Sequence, residues 1–227
     1  MMPYFLRHYS TFADRIFVYD DCSTDGTRDL VLACPSAILI DYPHSRGLHE
    51  EDLLETFGRY RRSLGVADWC MCVDVDEFIH HPNVRTALAR ADRLGYSVLR
   101  SHGYNMVSDH VPATQGQIYS ELRLGATSNN YSKCVVLKPS VDIVWRKGRH
   151  GVISTTGIFG RVGLKLLHYY YLSPDYHLAR KTRNLSRIQT DPFTTMNERG
   201  FETVSGYRLR RAKAYYEKLL RVAKEVV

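Results

Sequence analysis

The chain has 227 residues, 44% of them apolar and 24% charged, and Lys and Arg outnumber Asp and Glu by 31 to 24 for a net charge of +7 and a pI near 9.2. Such a composition excludes a disordered or low-complexity chain, and no apolar stretch approaches the roughly 20 residues that would span a bilayer. The length suits one α/β domain with a substantial core, and five cysteines at irregular spacing suit a reducing compartment better than a disulfide scaffold.

The opening residues, Met1 to His8, lack the charged start, long apolar stretch and cleavage site of a secretory signal, so a cytoplasmic address is expected. Arg15 to Tyr19 reads as a strand ending in Asp20 and Asp21, and Cys22-Ser23-Thr24-Asp25-Gly26 as a turn. A helix is predicted from about Thr27 to Cys34, and a second strand from Ala37 to Ile40, closing on Asp41. His49 to Leu64 has the spacing of an amphipathic helix stopped by Gly65.

Residues 69–79, Trp-Cys-Met-Cys-Val-Asp-Val-Asp-Glu-Phe-Ile, are the most informative stretch. The apolar run predicts a buried strand over 69–75, and it breaks into Asp74, Asp76 and Glu77 where the strand should emerge. Alternate residues of a strand share a face, so Asp74 and Asp76 could hold one hard divalent cation, Mn²⁺ or Mg²⁺. Like charges crowded at a dry strand end need a positive neighbour. A solvated turn or helix cap is the alternative reading of Asp-x-Asp.

Pro82 opens a predicted helix that reaches Leu94 and ends at Gly95. Strand and helix thus alternate through residues 1–95, the pattern of a parallel sheet and a nucleotide-binding half. From Tyr96 the pattern changes to short β-type pieces, Tyr96–Arg100, Gln117–Leu122, Tyr131–Leu137, Val141–Trp145 and Val162–Tyr169. This makes 96–190 a mixed or antiparallel, acceptor-shaping half of the same single domain. Helices are predicted near 174–189 and 207–225, and 191–227 is a basic helical end. Its cations, among them Arg210, Arg211, Lys213, Lys218, Arg221 and Lys224, could face sugar-nucleotide phosphates, anionic lipid headgroups, nucleic acid, or only water.

Three strand ends of the first half therefore carry acids: Asp20 with Asp21, Asp41, and Asp74 with Asp76. At this point the residues resemble a family. Phe17 through Thr27 is similar to the opening signature of family 2-type glycosyltransferases of the GT-A fold, and Asp74-Val75-Asp76-Glu77-Phe78 to their Asp-x-Asp motif. Tyr131 to Pro139, Gly148-Arg149-His150 and Leu166-Leu167-His168-Tyr169 resemble segments of the related family 2 and family 92 enzymes.

The resemblance implies a Rossmann-type parallel first half and a mixed second half. It implies a metal-dependent transferase that moves a sugar, with inversion, from a nucleotide-sugar donor, a UDP-sugar first, to a glycan, lipid-linked or protein acceptor. Asp20, Asp21 and Asp41 would contact the nucleoside, and Asp74 the ribose or metal. Asp76 would hold Mn²⁺ or Mg²⁺, with His168, or in its place His150, completing the shell. By their charge Lys133 and Arg149 could pair donor phosphates or be ordinary surface cations. Many inverting relatives carry a Glu-Asp pair in the second half. None follows Glu77 here, which leaves Asp109 and Glu121 as candidate catalytic bases, with Asp142 behind them.

Two other readings stay open. A sugar nucleotidyltransferase would normally open with a Gly-rich basic loop that is not visible. A basic module binding nucleic acid or an anionic surface would use the C-terminal cations and the Tyr169–Tyr171 run. The expected partners are the donor and acceptor and, peripherally, the inner face of an anionic membrane, without nucleic acid.

Overall fold

A computed structural model describes residues 1–42, 50–146, 151–189 and 198–227. The protein has a mixed α/β fold with parallel and antiparallel pairings, as expected. The chain clusters into two compact units that do not follow sequence order. One takes in the described residues of 1–42, 50–104 and 127–168, and the other those of 105–126 and 169–227.

The first unit opens with the helix Met2–Tyr9, followed by strand Ile16–Asp20, helix Thr27–Leu32 and strand Ala37–Asp41. The two strands pair in parallel, from Ile16 opposite Ala37 to Asp20 opposite Asp41. The tight entry to the intervening helix depends on Gly26, whose φ of 77° is left-handed backbone that a residue with a Cβ rarely adopts. Asn83 caps the next predicted helix, Val84–Arg93, by accepting the Thr86 N–H at 2.9 Å, and Gly95, at φ 70°, ends it.

The predicted strand 69–75 is shorter than its apolar run. Only Cys70–Met71 is strand, and it pairs antiparallel with Val136–Leu137 within a four-strand sheet that also contains Val98–Leu99 and Phe159–Gly160. Just past the strand's end, Cys72 donates its N–H to the Val135 carbonyl at 2.8 Å and packs with Cys134, Leu137, Trp145 and Tyr60 into a core cluster. Asp74 to Glu77 then forms a turn closed by the Glu77 N–H on the Asp74 carbonyl at 3.0 Å. The alternate-face argument for Asp74 and Asp76 consequently does not apply, because neither lies in a strand.

A new strand, Glu77–His80, starts at this turn and pairs antiparallel with the first residues of Lys165–Tyr171, His168 opposite Glu77. Its other edge is closed by side chains. Tyr9 donates its hydroxyl to the Glu77 carbonyl at 2.9 Å and accepts the Ile79 N–H at 3.0 Å, while His8 Nε2 donates to the Ile79 carbonyl at 2.9 Å. Phe5, His8 and Tyr9 also pack around the fully buried Phe78. The first helix thus supplies the hydrogen bonds that a further strand would have made.

Two results follow. Tyr9→Phe leaves buried backbone groups of Glu77 and Ile79 without that hydroxyl and should cost about 1–3 kcal/mol, read by urea unfolding; no measurable change would contradict the edge role. His8 is buried, and burial first, opposed by its bond to Ile79, holds its imidazole from the ordinary 6.5 down to about 4. The unfolded chain therefore takes up a proton that the folded chain refuses as pH falls from 6.5 to about 4. Folding stability contributed by neutral His8, about 3 kcal/mol, is full above pH 6.5 and is lost across that window. His8→Gln should flatten the pH dependence there; an unchanged slope would contradict it.

In the second unit, Gln117–Leu122, predicted as a β-type piece, is instead a helical turn, Ile118–Glu121. The reason is local bonding: Glu121 leaves the turn to accept the N–H groups of Ala113 and Thr114 at 3.2 and 2.8 Å. Leu124–Thr127 pairs antiparallel with Lys224–Glu225. The helices Pro174–Gln189 and Glu198–Val222 complete the unit. On the second of these, Tyr216 and Leu219 are buried with Val107, while Arg210, Arg211, Lys213 and Lys218 are exposed. No helix among the described residues is long and apolar enough to cross a membrane.

Candidate functional site

The acids of the first two strands are brought side by side, since Asp20 and Asp41 are partners in register. A carboxylate pair so placed needs a cation, and the sequence reading supplied none. The structure supplies Arg28, whose Nη1 lies 2.7 Å from Asp20 and 2.6 Å from Asp41. Burial pushes the Asp20 carboxyl upward, but hydrogen bonds from Ser23 and Arg28 outweigh it and hold the pKa below the ordinary value. Asp20 is buried, Asp21 half-buried and Asp41 exposed. Arg28, on the first turn after the Asp-Asp signature, was legible as the only cation in that stretch.

An aromatic group flanks these strand ends. Arg59 lies over the Tyr42 ring at 4.4 Å and the Tyr19 ring at 5.4 Å, and the two rings meet edge to face at 6.0 Å.

The turn Asp74–Glu77 and the facing strand bring the second group together. Asp76 Oδ2 and His168 Nε2 are 3.2 Å apart, with side chains only 2% and 6% exposed. Behind them Glu77 is fully buried and takes the Lys133 ammonium on Oε1 at 2.6 Å. Its other oxygen accepts the Asp74 N–H at 3.3 Å. Lys133, expected on donor phosphates, is therefore 3% exposed and committed to Glu77.

Tyr131 completes the group. Its ring stacks on His168 with centroids 3.8 Å apart and planes 20° from parallel, and the Lys133 ammonium sits 4.7 Å from its centroid. The backbone of Tyr131 lies so close to Gly103 that a Cβ there would stand 2.1 Å from the Tyr131 carbonyl carbon. Tyr131 lies in the segment Tyr131 to Pro139, but nothing in one sequence shows which histidine a tyrosine will stack on.

The remaining expected residues fall elsewhere. His150 and Arg149 lie outside the described residues. Asp142 pairs with Arg61. Asp109 and Glu121 belong to the second unit, on either side of His110, at 2.7 Å from Nδ1 and 3.1 Å from Nε2. The Asp109 hydrogen bond raises the His110 pKa, and His110 in turn holds Asp109 below the ordinary carboxylate value. For Glu121 burial acts upward, but the Ala113 and Thr114 N–H groups outweigh it and lower the pKa.

No protein-family model matches the sequence, and no curated protein matches it. Among solved structures the chain is similar to S. aureus TarS, residues 1–349, at 11% identity over 94% of this chain and 67% of that one, with a TM-score of 0.43. A likeness of that size carries no argument about chemistry.

The donor set itself can be tested against a divalent cation. A carboxylate oxygen suits Mn²⁺ or Mg²⁺, and the imidazole nitrogen beside it favours the softer Mn²⁺ of the two. Adjacent ligands about 2.1 Å from an octahedral ion stand about 3 Å from each other, close to the 3.2 Å between Asp76 and His168. Among the described residues no three His, Cys, Asp or Glu side chains form a ready cage.

Proposed function

We propose that the protein is a metal-dependent glycosyltransferase using a nucleotide-sugar donor, a UDP-sugar first. The observation that supports this most is the nearly buried Asp76–His168 pair at the separation of neighbouring metal ligands, beside a Glu77 whose charge Lys133 already balances. In this reading Asp76 and His168 hold Mn²⁺ or Mg²⁺, with Asp74 beside them. When bound, the cation would offset the charge that develops on the departing nucleoside diphosphate.

Asp20, Asp21 and Asp41 stand at the carboxyl ends of parallel strands, where ligands of open α/β sheets bind. There we assign them, with Arg28 and the Tyr19–Tyr42–Arg59 group, to the nucleoside. Of the two candidate bases, both in the second unit, Asp109 has the exposed side chain, with His110 beside it. Glu121 is already engaged by two backbone N–H groups as well as His110.

A panel of nucleotide sugars screened by thermal unfolding in Mn²⁺ tests the reading. A donor at 100 times its Kd should add about 2.7 kcal/mol, or about 5–10 °C in Tm for a chain of this size, and chelation should remove the shift. A panel that leaves Tm unchanged in Mn²⁺ would overturn the assignment.

A further inference from the structure

A buried lysine needs a reason. Lys133 and Glu77 bury an ammonium and a carboxylate 56 residues apart in sequence, at 3% and 0% side-chain exposure. Desolvating two charges costs about as much as their attraction returns, and well-packed apolar residues of similar volume are often as stable. Stability alone therefore does not account for the pair, and its neighbours give it another use.

On one side, Glu77 grips the turn that carries the acids. With Oε1 on Lys133, its Oε2 accepts the Asp74 N–H, across the turn whose third residue is Asp76. On the other side, the same ammonium faces the Tyr131 ring, and that ring lies flat on His168. Lys133 is itself anchored: its N–H donates to the Tyr131 carbonyl at 2.9 Å, and its own carbonyl accepts the Ser101 N–H at 3.1 Å and hydroxyl at 3.0 Å. The absent side chain at Gly103 lets Tyr131 sit where it does.

We propose that Lys133 is a positioning residue that sets both ligands of the candidate cation site, Asp76 through the Glu77-braced turn and His168 through the Tyr131 ring. The inference rests on the reading of Asp76 and His168 as that site. It gives Lys133 a part that does not involve touching donor phosphate. Residues that orient metal ligands without binding the metal commonly change its affinity about 10- to 100-fold when replaced.

The test uses the full chain and Mn²⁺ alone, with free Mn²⁺ followed by electron paramagnetic resonance and the His168 ring by NMR. Lys133→Met by itself leaves Glu77 uncompensated and is expected to unfold readily. The informative variant is therefore Lys133→Met with Glu77→Gln, which removes both charges and keeps an acceptor for the Asp74 N–H. It should stay folded yet bind Mn²⁺ at least about tenfold more weakly, with a displaced His168 ring signal. Tyr131→Leu, which leaves the ion pair in place, should move the same signal and also weaken Mn²⁺ binding. If the folded double variant binds Mn²⁺ within about twofold of wild type, the pair is structural only and the proposal is overturned. Should the wild-type chain itself show no saturable Mn²⁺ binding, the cation site falls and the proposal with it.

Discussion

Asp76→Asn is expected to lower Mn²⁺-dependent glycosyl transfer at least about a hundredfold, close to 3 kcal/mol of transition-state stabilisation. Asparagine keeps the shape of the side chain and an oxygen facing His168 Nε2, so the 3.2 Å contact has a neutral counterpart. What disappears is the negative charge that would hold the cation against a diphosphate. The loss should therefore appear as weaker metal dependence and lower kcat/KM, with the chain still folded. Steady-state rates across a Mn²⁺ titration check it, and wild-type kcat/KM in the variant would exclude Asp76 from the site.

The second large effect is on stability. Lys133→Met strands the fully buried Glu77 carboxylate, a loss of the kind that costs about 3–5 kcal/mol. For a chain of this length that corresponds to a fall in Tm of roughly 6–20 °C. Adding Glu77→Gln should recover most of it, because no charge is then left unpaired and Gln still offers an oxygen to Asp74. Urea unfolding of the wild type, both single variants and the double variant forms a complete cycle. Additive single costs would contradict the coupling seen at 2.6 Å.

These expectations divide according to what a single sequence can show. The strand–turn–helix–strand opening was legible because its signals are local: a β-type run, the left-handed Gly26, and a second run closing on Asp41. The end of the predicted strand 69–75 was not, since hydrophobicity reports burial and says nothing of ladder partners. Cys72 is buried in the core and keeps one backbone bond, to Val135, past the strand's end. Gln117–Leu122 failed for a similar reason, as its helical turn is braced by Glu121 reaching back to Ala113 and Thr114.

Within the candidate site, the acids and His168 stand out in the sequence, and the partners of its cations do not. The need of crowded carboxylates for a positive neighbour was read only at Asp74 and Asp76, and at Asp20 and Asp41 it is met by Arg28. Lys133 was read as a phosphate partner or a surface cation because its type pairs readily with phosphate and is seldom fully buried. A clue lay in Glu77, an acid directly before the apolar Phe78 and Ile79: once that strand is buried, its first residue needs a buried cation. Which cation answers is a matter of folding across 56 residues.

The most direct measurement is the anomalous scattering of Mn²⁺ in crystals grown with Mn²⁺ and a nucleoside diphosphate. One peak is expected between the Asp76 carboxylate and His168 Nε2, in contact with the diphosphate. A peak bound elsewhere on the chain, or diphosphate bound with no metal beside Asp76, would contradict it.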